Sequence, residues 1–193
     1  MFKRHQFSGR LVLILAGCAA GLMILEVALR VLGYDSPNFY RPDRYCGTAL
    51  REGSEGWYRK ETINYIRISS QGLRDREHSL GKPTGTLRIA VLGDSYAEAF
   101  QVPQEQAFWS VMEGELNRNR LLRGMPVEVL NFGVGGYGTT QELQTLRHRV
   151  WDFNPDIILL AFLTGNDIRC IILGCINIFC FYCRVVRGNF ARG

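Results

Sequence analysis

The chain has 193 residues, 47% of them hydrophobic, and a formal net charge of +5. That length holds one domain plus an anchor, and the composition is that of a folded protein, not a disordered one. The one basic cluster is Lys3, Arg4, His5 and Arg10, and the other arginines are scattered, so no basic stripe is available and a nucleic-acid partner is set aside. A basic cluster ahead of a long apolar run reads instead as the cytoplasmic flank of a membrane segment.

That run is Leu11 to Leu32. As a helix it would rise roughly 33 Å, against a hydrocarbon core of about 30 Å. Glu26 and Arg30 interrupt its last turns four residues apart, a spacing at which they can pair. The charge order predicts an N-terminus in the cytoplasm and the remainder outside, facing the periplasm in a Gram-negative cell. Three alternatives stand beside an uncleaved anchor. Leu15-Ala16-Gly17-Cys18 has the form of a lipoprotein box, Ala20 is a candidate signal cleavage point, and the run also suits a buried core helix. The expected division is a basic terminus over 1–10, an anchor over 11–32 and an extracytoplasmic linker with short strands over 33–86. A domain over 87–169 and an anomalous tail over 170–193 complete it.

Within the linker, Thr62 to Ile68 alternates as a short strand does, and Gly81 to Thr86 is a turn cluster. From Leu87 the rhythm becomes strand, helix, strand, helix, strand. Leu87 to Leu92 is an apolar strand. Phe108, Val111, Met112 and Leu116 recur at helical spacing and predict a helix over 104–118. Pro126 to Phe132 is a second strand. Leu143, Leu146, Val150 and Phe153 predict a second helix, capped by Thr139 or Thr140. Asp156 to Leu163 is a third strand. Continuous apolar strands alternating with amphipathic helices predict a parallel sheet covered on both faces, whose active residues lie at the carboxyl ends of its strands. The Gly-rich segments 93–95, 133–138 and 164–167 all fall there.

Those segments carry a resemblance. Gly93-Asp94-Ser95, then Asn131 to Thr140 with Gly136, then Thr164-Gly165-Asn166-Asp167 resemble the three ordered blocks of the SGNH hydrolases, the GDSL-type esterase superfamily. Glu26 to Tyr34 resembles the anchor end of its bacterial membrane-bound branch. The resemblance covers about residues 22–168. It implies a three-layer α/β/α, flavodoxin-like fold behind a transmembrane helix. It further implies Ser95 as the nucleophile, with Ser95 N–H, Gly136 N–H and the Asn166 amide forming an oxyanion hole. Small acyl esters, O-acetylated glycans or lipids would be the substrates, without metal or organic cofactor. Taken singly, each residue also has a plain reading: glycines for tight turns, Ser95 and Asn166-Asp167 as caps.

A serine hydroxyl needs a general base, usually a histidine held by a carboxylate. The family places an Asp-x-x-His block late in its domain, and the histidines here are His5, His78 and His148. Asp75-Arg76-Glu77-His78 spells that block but precedes the first core strand, so it is read as a decoy, useful only if the linker folds back over the sheet edge. His148 is expected on an exposed helix face. After Arg169 the rhythm stops, and Cys170, Cys175, Cys180 and Cys183 crowd together among bulky apolar residues. That change leads to the expectation of an incomplete domain that lacks the late block and leaves one sheet edge unpaired. The cysteine spacing suits neither a metal site nor a second membrane span. Two rival readings stand: a non-catalytic remnant or binding module of the same fold, and a small membrane protein whose Cys-rich end has its own role.

Overall fold

The structure, a computed structural model, describes residues 2–32, 37–119 and 124–164. It separates into two compact units, Met1–Ser36 and Pro37–Gly193.

The first unit is one helix, α1 (Phe2–Val31). It begins well before Leu11: the basic flank holds no proline and is itself helical, and Gly9 within it costs only about 1 kcal/mol. Gly9–Val31 has a mean hydropathy of 2.4 and is long and apolar enough to cross a membrane, by length and composition. Cys18 and Ala20 lie in its unbroken middle. Arg30 Nε donates to Glu26 Oε1 at 2.8 Å, so the two charges near its end pair with each other.

The second unit opens with two antiparallel hairpins, β1 (Tyr40–Asp43) with β2 (Gly47–Leu50), and β3 (Glu55–Tyr58) with β4 (Asn64–Arg67). Only β4 is anticipated by the sequence pattern. The other strands are four residues long and contain Pro42, Gly47 and Gly56, which leaves no period to read. Tertiary contact holds them. Phe39, Leu50, Ile66 and Ile68 pack with Phe100, Val134 and Tyr137, and Phe100 meets the rings of Phe39 and Tyr58 edge-on at 5.2 and 5.5 Å.

β5 (Leu87–Gly93) then leads into a single helical turn, α2 (Ser95–Glu98). After it come α3 (Phe108–Arg118), β6 (Val127–Asn131), α4 (Thr139–His148) and β7 (Ile157–Ala161). The three strands run parallel in the order β6-β5-β7. The two predicted helices are each broken once. Ala107 is extended and separates a 3₁₀ turn from α3, and Arg149 separates α4 from a 3₁₀ turn over Val150–Phe153. Gly138, not a threonine, stands at the N-cap of α4, where Gln141 Oε1 accepts its N–H at 3.2 Å.

Alternate residues of the sheet go to different helices, as a strand's period of two requires. Ile89, Val91, Val127 and Val129 pack with Trp109, Met112 and Leu116 of α3. Ala90, Leu92, Leu130 and Phe132 pack with Leu73, Leu146, Val150 and Phe153. Arg88 is fully buried, and its guanidinium donates to Glu128 Oε2 at 2.7 Å and to Phe153 O at 2.6 Å.

The outer edge of β6 is not open. Val127 N–H donates to Asn117 Oδ1 at 2.9 Å, Val129 N–H to Glu113 Oε2 at 2.6 Å and Asn131 N–H to Asp75 Oδ2 at 3.0 Å. Those N–H groups, two residues apart, are what an additional strand would need, and each already has a side-chain acceptor. The one unpaired edge expected of an incomplete sheet is therefore not that of β6.

Candidate functional site

The strand register brings the carboxyl ends together. Gly93 stands opposite Ala161 of β7, and Val91 opposite Asn131 of β6. At that edge the chain turns directly from β5 into α2. Asp94 caps the turn, its Oδ1 accepting Tyr96 N–H at 2.9 Å. Small residues let α2 sit down on the sheet. A Cβ on Gly93 would lie 2.8 Å from Ala97 Cβ, and one on Gly133 would lie 2.5 Å from that atom. The Ala97 carbonyl, otherwise orphaned at the end of so short a helix, accepts Trp109 Nε1–H at 2.9 Å and Asn131 Nδ2–H at 3.0 Å. Ala99 ends the helix in the left-handed region at φ 55°, a conformation that costs a non-glycine residue about 1–2 kcal/mol.

Ser95 is the first residue of α2 and is half-buried, and its hydroxyl has no partner among the described residues. Beside it runs the loop that leaves β6. Phe132 N–H donates to Val91 O and Val134 N–H to Gly93 O, at 2.8 and 3.1 Å, so the loop continues along β5 as far as the turn that carries Ser95. Gly136 follows, exposed, at φ +80°, a conformation suited to glycine, with open space where a Cβ would stand. The turn that carries Ser95 and the loop that leads to Gly136 thus lie at the same sheet edge. Asn166 lies outside the described residues, as do Gly165, Asp167 and the four cysteines of the tail. β7, which leads toward Asn166, ends at that same edge.

A residue that the sequence reading passed over sits between these parts. Glu98, the last residue of α2, is buried. Its Oε1 accepts Gly135 N–H at 2.9 Å, and Tyr40 Oη donates to its carboxylate at 2.9 Å. Burial pushes the Glu98 carboxyl up to about 7, against the pull of Gly135 N–H, the Tyr40 hydroxyl and the Arg74 guanidinium. Burial also lowers Arg74 to about 10, so it stays cationic at neutral pH. An acid raised in the fold from 4.5 to about 7 adds stability that is present in full below 4.5 and lost as pH rises through 7. At about 1.4 kcal/mol per unit, the loss is on the order of 3 kcal/mol. Unfolding free energies from urea titrations at pH 5 and pH 8 are expected to differ more in the wild type than in Glu98→Gln by about that amount.

Comparison with known proteins adds a limited likeness. No known family model and no curated protein matches the chain. Among solved structures it is similar to AlinE4, an SGNH-hydrolase family esterase, and to a point mutant of that esterase. Each is 22% identical at a TM-score of 0.37, with 48% of this chain and 46% of that chain covered. The chain thus spans about half the length of these structures.

Neither His78 nor His148 partners Ser95. His78 is buried, its Nε2 3.1 Å from Asp75 Oδ2, and its Nδ1 has no partner among the described residues. Asp75 Oδ2 is the atom that accepts Asn131 N–H, and Arg76 N–H donates to Asp75 Oδ1 at 2.7 Å. The 37–86 segment does fold back: Asp75 bonds the lateral edge of β6, while Tyr40 and Thr48 reach Glu98 and Tyr137 at the carboxyl edge. His148 is exposed and stacks on Tyr45 with ring centroids 3.7 Å apart. The sequence had marked both positions as poor candidates for the base, without any sign of what they do instead.

Proposed function

We propose that this chain is a serine ester hydrolase of the SGNH (GDSL) type, with a three-layer, flavodoxin-like domain. α1 anchors it in a membrane, and the domain faces away from the cytoplasm. The observation that carries the reading is the hydroxyl of Ser95, without a partner among the described residues, on a one-turn helix at the carboxyl edge of a parallel sheet, near the glycine loop 133–136. In this reading Ser95 Oγ attacks the carbonyl carbon of an acyl ester and passes its proton to a general base. The carbonyl oxygen becomes an oxyanion, received by Ser95 N–H, Gly136 N–H and the Asn166 carboxamide, each such donor lowering the barrier by about 2.7–4 kcal/mol. Collapse expels the alcohol, which takes that proton, and water then cleaves the acyl-serine. Small acyl esters, including O-acetylated glycans and lipids, are the substrate class.

The test is covalent labelling of the full chain with a fluorophosphonate. Ser95 is expected to react well above the rate of the denatured protein, and Ser95→Ala to abolish the adduct; labelling at the denatured rate would overturn the reading. A second reading, a binding module of the same fold without turnover, is favoured by one observation: His78 and His148 are engaged elsewhere, with Asp75 and Tyr45. It predicts that lack of labelling. The anchor has its own test. The chain is expected to stay in carbonate-washed membranes at full length; release of a fragment shortened by about 20 residues would mark a cleaved signal instead.

A further inference from the structure

Glu98 is three residues beyond Ser95 on the same short helix, yet its carboxylate points away from solvent, into the loop that follows β6. A Cβ on Gly135 would lie 2.8 Å from Glu98 Oε2 and 3.0 Å from Tyr40 Oη, so only glycine lets the backbone press against this pair. The peptide bond immediately after Gly135 carries the N–H of Gly136, whose φ of +80° turns the chain at the surface. One side chain on the nucleophile's helix therefore grips the segment that presents the second oxyanion donor. We propose that Glu98 is a positioning residue: its ionised carboxylate, shared with Tyr40, fixes the Gly135–Gly136 backbone relative to Ser95, and protonation loosens that hold. This rests on the ester hydrolase reading for its catalytic meaning and on the hydrogen bonds alone for its structural one.

The physical basis is the difference between a charged and a neutral acceptor. A carboxylate accepting an N–H makes a bond about twice as strong as a neutral oxygen does, and its advantage grows where water is excluded. The charged groups around Glu98 come from several elements. Tyr40 of β1 donates to it and Tyr58 of β3 lies within electrostatic reach. Arg74 attracts it from the segment after β4, and Asp94 repels it from the start of α2. Arg74 is itself placed over the Phe100 ring at 5.6 Å, donates to Val102 O and feels Glu105. Burial outweighs the attractive partners, so the carboxyl changes state near pH 7. The grip on Gly135 is accordingly expected to tighten between about pH 6 and pH 8.

The experiment is a pH series on the full chain in detergent micelles, read by the amide resonances of Gly135 and Gly136 and by the rate of fluorophosphonate labelling. In the wild type both amides are expected to shift with a common midpoint near 7, and labelling to rise about tenfold over the same interval. Glu98→Gln is expected to flatten the amide titration and to lower the labelling rate at pH 8 about tenfold with the fold intact. Glu98→Asp, which keeps the charge, recovers part of both. Should Glu98→Gln not fold, Tyr40→Phe reports on the same pair by moving the midpoint. Amide shifts that ignore Glu98→Gln, or an unchanged labelling profile in that variant, would overturn the proposal. A wild type that does not label at all would instead defeat the hydrolase reading, while the amide titration still decides whether Glu98 holds the loop.

Discussion

Asp75→Ala is expected to cost about 3–5 kcal/mol of stability, enough to leave a marginal domain largely unfolded. The carboxylate accepts from Asn131 N–H and Arg76 N–H at 3.0 and 2.7 Å and lies 3.1 Å from His78 Nε2, in a place where the Asp75 and His78 side chains are each 1% exposed. Removing it strands those donors, and a buried donor without an acceptor costs about 1–3 kcal/mol. It also bares the last N–H of β6's outer edge, so the variant is expected to associate as it unfolds. Urea unfolding followed by circular dichroism measures the first effect and light scattering the second. Asp75→Asn, which keeps an acceptor oxygen, is expected to lose only about 1–2 kcal/mol. The pair of variants separates structure from catalysis. With Asp75 and His78 sealing an edge, Asp75→Asn leaves fluorophosphonate labelling per folded molecule unchanged. A catalytic dyad would give the opposite result, a stable protein with labelling gone.

The same residues show where a sequence can be read and where it cannot. The three parallel strands were legible because each is a short apolar run between turn residues, and their ends fall within two residues of the expected ones. That the turn after β5 and the loop after β6 share one edge was legible too, because parallel strands deliver their carboxyl ends together. α2 was not: one turn of helix has no period. β1, β2 and β3 were not, because their order comes from Phe39, Leu50 and Tyr58 packing on Phe100, which lies beyond β5. Glu98 reads as an ordinary polar residue on a helix. Its burial depends on Tyr40, 58 positions earlier, and on Gly135, 37 positions later. The Asp-x-x-His at 75–78 was visible as letters, but its place on the flank of β6 depends on how the intervening chain folds back. Local pattern fixes elements, whereas the partners of buried polar groups are a tertiary property.

Glu98 also shows a tension between stability and the proposed activity. Ionising a buried carboxyl destabilises the fold, and that ionised form is the one that holds Gly135 most firmly. A protein selected for stability alone would replace it with a neutral side chain; strain of this kind is expected at sites where geometry matters to function.

Gly133→Ala is expected to be the most damaging of the glycine substitutions at this edge, at about 3 kcal/mol or more, with Ser95 labelling lost in whatever fraction folds. The new Cβ would stand 2.5 Å from Ala97 Cβ and 2.7 Å from both Ala97 C and Glu98 N. Two of those atoms are backbone, so no rotamer change relieves the overlap, and either α2 or the loop must move. α2 is held by Trp109 and Asn131 at the Ala97 carbonyl, and the loop by Gly93 O and Glu98. Displacing either one separates Ser95 from Gly136. Gly136→Ala makes the contrast: it meets no atom within 4 Å and bears only the left-handed backbone penalty of about 1 kcal/mol. A double variant, Gly133→Ala with Ala97→Gly, removes the closest contact but leaves the backbone ones, so it is expected to recover part of the stability and little of the labelling. Thermal unfolding and labelling of the three variants together decide the matter. Equal stabilities for Gly133→Ala and Gly136→Ala would mean that α2 does not rest on this loop, and the apposition of Ser95 with the glycine segment would then lose its physical basis.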